Sequence, residues 1–339
     1  MEERNMKVAI LGSGSWGCAL ANVLSDNKHE VIIWGISTEQ VSDINENHKN
    51  SIFFEETLNE DIRATLNIED IKDSECVVLA VPSQAIEEVL TKVISILDKP
   101  AYFINVAKGF HPVTHKRLSV VIEEAIPSDK RKAIVSLIGP SHAEEVIKRL
   151  LTVVNAVSED EEAARVIQNL FSNEYFRVYR STDVVGAEYG VAIKNIMAIA
   201  SGILAGVGQG DNARAALITR GLAEMTRFGV AKGGELSTYL GLDGVGDLIV
   251  TCSSMHSRNY TAGLQIGKDG NAEKFWKENK KTVEGVAACK VIYEEAKKMG
   301  IEMPITSAVY EVLYNNAKPQ EIITELMMRK LKSEGEFVE

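Results

Sequence analysis

Lys194 stands inside an otherwise apolar stretch, in the run GVAIKNI from Gly190 to Ile196. A lysine in an average helix extends its charged end to solvent, and this is the simpler interpretation. Burial against apolar neighbours would instead lower the pKa of the amine toward the working pH, as a general acid or base requires. Reduction of a ketone needs such a proton donor beside the carbonyl oxygen. Lys194 is therefore a candidate catalytic residue.

Asp247 is a second candidate in the same half of the chain. It follows the glycine-rich run LDGVG from Leu242 to Gly246 and precedes an apolar run. It therefore begins a helix or strand at a tight backbone position, where the alternative role is an ordinary helix cap.

Ser257, Arg258 and Asn259 combine a hydroxyl, a guanidinium and an amide just before a predicted helix. Such a grouping at a helix N-terminus favours the binding of phosphate oxygens, because the donors and the helix dipole both attract an anion. The alternative is an exposed cap without a ligand.

Two further candidate sites follow predicted strands, where open α/β sheets place their ligands. Lys108 and Gly109 follow a strand ending at Val106, and the run GPSHA from Gly139 to Ala143 follows a strand ending at Ile138. Lys108 could equally be a surface charge. For His142 we favour a packed aromatic ring without a catalytic role.

A glycine-rich turn lies near the N-terminus, where the strand Lys7 to Leu11 leads into GSGSWG and then a helix. This strand-turn-helix context is the one that G-x-G-x-x-G requires for dinucleotide binding. Gly12 permits the tight turn, Gly14 lets the backbone approach a pyrophosphate, and Gly17 allows close helix-strand packing. The turn predicts a nicotinamide dinucleotide site rather than a ligand-free turn.

The end of the second predicted strand does not choose between NAD and NADP. It reads Trp34-Gly35-Ile36-Ser37, without the Asp that would bind the ribose of NAD or the Arg that would bind the 2′-phosphate of NADP. Glu39 is the nearest acidic residue.

The secondary structure that must position these residues differs between the two halves of the chain. The first half alternates β-branched runs with helical patterns, which predicts a parallel sheet covered by helices on both faces. After Ser181 the strand pattern disappears and helical segments follow. We therefore expect an α/β fold, with an N-terminal Rossmann-type doubly wound sheet at residues 1–182 and an all-α substrate and catalytic domain at residues 183–339. The predicted strands are Lys7 to Leu11, Glu30 to Trp34, Cys76 to Val81, Tyr102 to Val106, Ala133 to Ile138, Leu151 to Val157 and Phe176 to Tyr179.

Composition narrows the class of protein. The 339 residues suffice for two domains, and the net charge of -11, without basic and aromatic clusters, argues against nucleic acid as a partner. The scattered Cys and His residues predict no metal site. The charged N-terminus lacks the apolar segment of a secretion signal, and the longest apolar stretch, Ile196 to Val207, is too short to span a bilayer. A cytoplasmic location, no membrane insertion and a homodimer through the helical half are expected.

The sequence resembles the bacterial type of NAD(P)-dependent glycerol-3-phosphate dehydrogenase over nearly the whole chain. Any one of the matching segments is common, but the ordered series is specific. The segments are GSGSWG from Gly12, AVPS from Ala80, Lys108-Gly109, GPS from Gly139, Lys194-Asn195, NAR from Asn212, TRG from Thr219, GDL from Gly246, SRN from Ser257, VEG from Val283 and MPI from Met303.

This resemblance implies reversible hydride transfer between NADH or NADPH and dihydroxyacetone phosphate, giving sn-glycerol 3-phosphate for glycerophospholipid synthesis. It implies that Lys194 exchanges the proton with the carbonyl oxygen and that Asp247 positions or tunes it. The implied substrate-binding residues are Lys108, Gly139, Ser141, Lys194, Asp247, Ser257, Arg258 and Asn259. The implied cofactor contacts, added to Gly12, Gly14 and Gly17, are Ser15, Trp16, Lys108, Ala143, Arg258, Thr282 and Glu284.

Two departures from the family pattern affect these expectations. Members frequently carry His or Arg where this chain has Ile36-Ser37, so a preference for NADP does not follow. Leu150-Leu151 also stands where a proline commonly precedes the threonine. Two alternatives stay open: a related dehydrogenase of β-hydroxy acids or sugar acids, and a dinucleotide-binding redox sensor without catalysis. The phosphate-type group at Arg258 and Asn259 argues against the first, and a charged lysine in the cleft argues against the second.

Overall fold

The computed structural model describes residues 5–279, 282–331 and 333. The chain divides into two compact units. The first holds the chain up to Ala107 together with His111–Val184, and the second holds Lys108–Phe110 together with the chain from Val185 onward. The predicted boundary at residues 182 and 183 stays a prediction. Of the charged N-terminal stretch discussed above, the first four residues lie outside the described part of the chain.

The first unit contains one sheet in the order β3-β2-β1-β4-β5-β6-β7-β8. Its strands are β1 Lys7–Leu11, β2 Glu30–Trp34, β3 Arg63–Thr65, β4 Cys76–Leu79, β5 Ala101–Asn105, β6 Arg131–Ile138, β7 Thr152–Val157 and β8 Phe176–Ser181. The strands β1 to β6 pair in parallel, in the strand order of a doubly wound dinucleotide-binding sheet. The predicted fold class is confirmed.

Helices cover both faces of this sheet. They are α1 Ser15–Asp26, α2 Thr38–Asn47, α3 Ile86–Ile96, α4 Leu118–Ala125, α5 Ala143–Val146 and α6 Glu161–Phe171. Val8 and Ile10 of β1 join a core with α1 and α6, whereas the alternate residues Ala9 and Leu11 join a core with α3 and α4. Burial of both faces explains why the strands read as nearly continuous apolar runs.

Two features of the first unit differ from the expectation. β7 runs antiparallel to β6, and β8 continues parallel to β7, so the last two strands reverse direction. The strand β3 and the helix α2 were not predicted. β3 has only three residues, and α2 buries only Val41 and Ile44, so neither produces a clear apolar period.

In the described residues from Val184 onward, the regular elements are helices. They are α7 Val184–Gly206, α8 Asp211–Ala231, α9 Leu236–Tyr239, α10 Asp247–Ser253, α11 Arg258–Asp269, α12 Glu273–Glu278, α13 Glu284–Met299, α14 Pro304–Tyr314 and α15 Pro319–Met327, with a π-helical turn at Leu242–Gly246. α7 is long and apolar enough to cross a membrane, but 83% of its most apolar window is buried inside the protein. It is the central core helix of the second unit.

Candidate active site

The glycine-rich turn of the first unit joins β1 to α1. Gly12 has φ +116°, and a methyl group added there would lie 2.5 Å from the carbonyl oxygen of Ala80. A methyl group at Gly17 would lie 2.1 Å from the carbonyl oxygen of Gly12. At Gly14, in contrast, no described atom lies within 4 Å of the added carbon. Gly12 and Gly17 thus serve close packing, and Gly14 keeps the turn open on one side.

The start of α1 fits the pyrophosphate of a dinucleotide. Gly14 is the N-cap, and no described side chain caps the helix, which begins at Ser15 and Trp16. The first backbone N–H groups of a helix lack intrahelical acceptors and attract anions. The open Gly14 and these amides are the cradle that a pyrophosphate requires, so the residues present fit the cofactor.

The end of β2 carries an exposed position followed by a helix cap. Ile36 is 87% exposed. Ser37 is the N-cap of α2, and its hydroxyl accepts a hydrogen bond from the backbone N–H of Gln40 at 3.4 Å. Glu39 lies in the first turn of the same helix and is exposed. The Ile36-Ser37 segment was predicted to leave the choice between NAD and NADP open. In the structure the Ser37 hydroxyl caps α2, whereas the Ile36 side chain is exposed to solvent.

Lys194 and Asp247 form a buried ion pair in the second unit. Lys194 Nζ lies 2.5 Å from Asp247 Oδ2, and both side chains are almost fully buried. α7 carries Lys194, and α10 begins with Asp247. A methyl group at Gly190, one turn before Lys194, would lie 2.6 Å from the carbonyl oxygen of Asp243. The absence of a side chain at Gly190 therefore lets the π-helical turn approach α7 and brings Asp247 to the lysine.

The surroundings of Lys194 lower its pKa to about 8, mainly because burial removes the ammonium from water. The nearby positive charge of Lys108 acts in the same direction, whereas Asp247 opposes the shift. A lysine with this pKa exchanges its proton readily near neutral pH. The interpretation in which Lys194 extends to solvent is wrong.

Thr251 is a neighbour of this pair that sequence reasoning missed. Its hydroxyl donates to the backbone carbonyl of Asp247 at 2.6 Å and lies 3.4 Å from Asp247 Oδ1. The separation of four residues on one helix face is the signal that could have identified it.

The N-terminus of α11 gathers three predicted residues. The Ser257 hydroxyl caps the helix by accepting from the N–H of Tyr260 at 3.2 Å. Asn259 is buried, and its Oδ1 accepts from the N–H of Gly285 at 2.8 Å. Arg258 is half exposed, and its Nη2 lies 2.7 Å from Glu284 Oε1. The structure thus brings Arg258, Asn259 and Glu284 together.

The start of α13 lies close to α7 as well as to Arg258 and Asn259. A methyl group at Gly285 would lie 2.6 Å from the carbonyl oxygen of Asn195, the residue after Lys194. Lys108 also belongs to this unit, and the ring of Phe110, two residues later, packs with its centroid 5.7 Å from that of Tyr189. Thr282 is exposed in the segment before α13.

Gly139, Ser141 and Ala143 lie in the first unit, after β6. Gly139 has φ +140°, and a methyl group there would lie 3.0 Å from the Cα of Val154. The Ser141 hydroxyl donates to the carbonyl oxygen of Gly139 at 3.0 Å, and Ala143 begins the short helix α5. The binding roles of these three residues stay predictions.

Comparison with known proteins gives a consistent result over the two units. The model of the NAD-dependent glycerol-3-phosphate dehydrogenase N-terminus matches residues 7–164, and that of its C-terminus matches residues 183–324. A glycerol-3-phosphate dehydrogenase [NAD(P)+] of Streptococcus thermophilus is 46% identical over 98% of this chain and 99% of its own length. One from Streptococcus equi subsp. equi is 47% identical over 98% of each chain. The crystal structure of glycerol-3-phosphate dehydrogenase from Coxiella burnetii superposes with a TM-score of 0.85, 32% identity and coverage of 96% and 99%.

A Rossmann-type unit with an open glycine turn, followed by a helical unit with a buried lysine–carboxylate pair, defines a nicotinamide-dependent dehydrogenase. The matches extend over nearly the full length of chain and relative alike. The chain belongs to the NAD-dependent glycerol-3-phosphate dehydrogenase family.

Proposed function

We propose that this protein catalyses the reversible reduction of dihydroxyacetone phosphate to sn-glycerol 3-phosphate, with NADH or NADPH as the hydride donor. Its product would supply glycerophospholipid synthesis. The observation that carries the proposal is the buried pair of Lys194 and Asp247, in which the lysine has a pKa of about 8. Such an amine can give a proton in one direction and take it back in the other.

A dinucleotide held at the glycine-rich turn and the first amides of α1 would supply the hydride for the carbonyl carbon. Lys194 donates its proton to the carbonyl oxygen, which becomes the hydroxyl of the product, and it regains a proton from solvent. In the oxidation direction the neutral amine removes that proton. Asp247 holds the ammonium 2.5 Å away and thereby fixes its direction. Lys108 opposes the charged form of Lys194, and this repulsion eases release of the proton.

The phosphate of the substrate fits the start of α11. There Arg258 offers a planar pair of donors, and Asn259 has its amide oxygen engaged by Gly285, which leaves its NH2 group for a ligand. To accept a phosphate, Arg258 must leave or share its contact with Glu284. The family resemblance supports Ser257, Lys108, Gly139 and Ser141 as further residues that hold the phosphorylated substrate.

For the cofactor we assign the pyrophosphate to the turn at Gly12, Gly14 and Gly17 with the first amides of α1 at Ser15 and Trp16. The family resemblance supports the remaining contacts, which are Lys108, Ala143, Arg258, Thr282 and Glu284. We further propose a cytoplasmic homodimer. Sedimentation of the purified protein at two concentrations would test the dimer, and a monomer at both would contradict it.

The direct test of the activity is a substrate panel. The protein is mixed with NADH or NADPH and with dihydroxyacetone phosphate, dihydroxyacetone or a β-keto acid, and oxidation of the cofactor is followed by absorbance. We expect turnover with dihydroxyacetone phosphate at far lower concentration than with the others. A preference for the β-keto acid would favour the β-hydroxy acid alternative, and binding of NADH without turnover would favour a redox sensor.

Arg258→Ala tests the phosphate site. We expect kcat/KM for dihydroxyacetone phosphate to fall by a factor on the order of 100 or more, because a charge-assisted contact with the phosphate is lost. Dihydroxyacetone has no phosphate and should lose much less. Arg329→Ala is a matched control, since Arg329 is also half exposed and paired with a glutamate in the same unit. Equal losses for both substrates would contradict the assignment of Arg258.

Ile36→Arg tests the choice of cofactor. The exposed side chain can be replaced without disturbing a contact, and the new guanidinium should bind the 2′-phosphate of NADPH. We expect the ratio of kcat/KM for NADPH over NADH to rise about 10-fold, for an added interaction of this size. Ser37→Arg is the less suitable change, because it also removes the cap of α2. An unchanged ratio would mean that the ribose lies elsewhere.

A further inference from the structure

Asn50 is a buried amide in the segment between α2 and β3. It is 1% exposed. Its Nδ2 donates to the carbonyl oxygen of Ser13 at 2.7 Å and lies 3.3 Å from Cys18 Sγ. The backbone carbonyl oxygen of Asn50 accepts hydrogen bonds from the N–H groups of Phe53 and Phe54, so a turn holds the residue in place. The amide therefore joins a fixed turn to the glycine-rich loop.

The bonded carbonyl belongs to the peptide between Ser13 and Gly14. A trans peptide is planar, and its C=O and N–H point in opposite directions. When Asn50 draws the Ser13 oxygen toward the buried side of the loop, the N–H of Gly14 must point away from Asn50. Gly14 is the glycine whose surroundings are open. The contact thus fixes the direction of a backbone donor at a residue beside which an anion has room to approach.

The remaining contacts of Ser13 and of Asn50 support the role of Asn50 in orienting the loop. Cys18 Sγ donates to the same Ser13 carbonyl oxygen at 3.6 Å, and the Ser13 hydroxyl donates to Gln40 Oε1 at 2.5 Å. Ser13 is therefore held at both its carbonyl and its hydroxyl. Within residues 5–279, 282–331 and 333, no residue donates to Asn50 Oδ1. The Asn50 side chain thus bonds to its polar neighbours through its NH2 group, and this group orients the loop.

We propose that Asn50 is a positioning residue for pyrophosphate recognition: by holding the Ser13 carbonyl it presets the Gly14 N–H for the dinucleotide. The inference rests on the proposed cofactor site at the glycine-rich turn. Asn50 lies on the buried side and touches no ligand itself. Its effect should therefore appear in cofactor affinity and not in the chemical step.

Asn50→Leu keeps the volume and removes the donor. We expect the Kd for NADH, measured by fluorescence titration, to rise about 10-fold, which is the usual effect of losing one well-placed hydrogen bond. The value of kcat at saturating NADH should stay within about 2-fold, since Lys194 and Asp247 lie in the other unit. Asn50→Asp should weaken binding further, because a carboxylate would face the Ser13 carbonyl.

Asn22 provides the matched control. It is a fully buried asparagine on α1, and its Oδ1 accepts from the N–H of Asn59 at 2.9 Å. It therefore joins the same segment of chain to α1 without contacting the loop. Asn22→Leu should destabilise the protein comparably in urea unfolding while leaving the Kd for NADH unchanged. Similar losses of affinity in both variants would overturn the proposal, because a general loosening of the unit would then explain them.

Competition by ADP-ribose and by adenosine separates this inference from the site on which it rests. If the glycine-rich turn binds pyrophosphate, the wild-type protein binds ADP-ribose far more tightly than adenosine; equal affinities would refute that site. If Asn50 presets the turn, Asn50→Leu and Asn50→Asp weaken ADP-ribose but not adenosine. Equal weakening of both ligands would refute the role of Asn50 alone. Asn50→Asp keeps a polar side chain and allows the test should the leucine variant fail to fold.

Discussion

Lys194 and Glu224 are two buried ionisable side chains on neighbouring helices of the second unit, and their charges are compensated differently. They are 1% and 3% exposed. Lys194 faces one carboxylate, that of Asp247, and is repelled by Lys108. Glu224, on α8, accepts from the N–H groups of Ile305 and Thr306 and from the Thr306 hydroxyl.

The partners of Glu224 lie in the first turn of α14, which begins at Pro304. A carboxylate at a helix N-terminus satisfies otherwise orphaned donors and interacts favourably with the helix dipole. Burial nevertheless raises the pKa of Glu224 to about 7, while these hydrogen bonds and Arg227 oppose the shift. Burial moves both pKa values toward neutrality. The partners of each group decide whether it takes part in proton transfer or only stabilises the fold. Two backbone N–H groups hold the Glu224 carboxyl in place. The Lys194 ammonium is held by one carboxylate and repelled by Lys108, which leaves its proton available for transfer.

Lys194→Met should have the largest effect on catalysis. We expect kcat to fall by a factor on the order of 10² to 10⁴, the usual contribution of a positioned proton donor. Binding of NADH should change little, because the glycine-rich turn lies in the other unit. Glu224→Gln, a comparably buried change, should keep nearly full kcat. Near wild-type turnover in Lys194→Met would remove this lysine from the mechanism.

Replacement of the whole pair tests whether it costs stability. Lys194→Met alone leaves Asp247 buried without its partner and should lower the free energy of unfolding by about 3–5 kcal/mol. The double variant Lys194→Met/Asp247→Leu should regain that loss or exceed the wild type, since apolar side chains often replace a buried ion pair without penalty. Urea unfolding measures both. A double variant as unstable as the single one would mean that the pair stabilises the fold.

Glu224→Leu should show the opposite behaviour. The N–H groups of Ile305 and Thr306 would lose their acceptor, and the free energy of unfolding should fall by about 2–4 kcal/mol. No second substitution can repair this loss, because two of the three donors are backbone N–H groups. Asp211→Ala, an exposed carboxylate change on the same helix, should cost less than about 1 kcal/mol. A loss for Glu224→Leu no larger than this control would deny the structural role.

The smallest effect concerns pH. Reduction needs the protonated Lys194, so its kcat should fall as pH rises through about 8, and oxidation, which needs the neutral amine, should rise through the same pH. Lys108→Gln removes a repelling charge and should move both limbs to higher pH, by up to about one unit. Lys268→Gln makes the same charge change at an exposed position of α11 and should leave the limbs in place. Unmoved limbs in Lys108→Gln would contradict the coupling.

Sequence reasoning identified Lys194 but not Glu224, because only Lys194 differs in polarity from the residues around it. Lys194 interrupts an apolar helix, so its burial was open to prediction. Glu224 stands among charged neighbours such as Arg220 and Arg227, and nothing in the pattern separates it from a solvated residue. The pairing of Lys194 with Asp247 depends on the close approach at Gly190, which spacing along the chain does not reveal.

The same limit applies to the fold. Alternating apolar runs and helical patterns were enough for the doubly wound sheet, because strands buried on both faces have a distinctive composition. They do not encode direction, so the reversal at β7 could not be read from Thr152 to Val157. Asn50 was missed because one asparagine in a loop carries no periodic signal, and its partner Ser13 is distant in sequence.

The assignment of Lys108–Phe110 to the helical unit has a consequence for synthesis of the chain. These residues leave the ribosome long before α7, yet Phe110 is part of the core that forms around Tyr189 and Phe228. The later unit therefore cannot complete its core from newly made chain alone and must take up a segment synthesised earlier. A gene divided between residues 182 and 183 would yield a C-terminal fragment without that aromatic ring, and such a fragment would begin folding with a gap beside Tyr189.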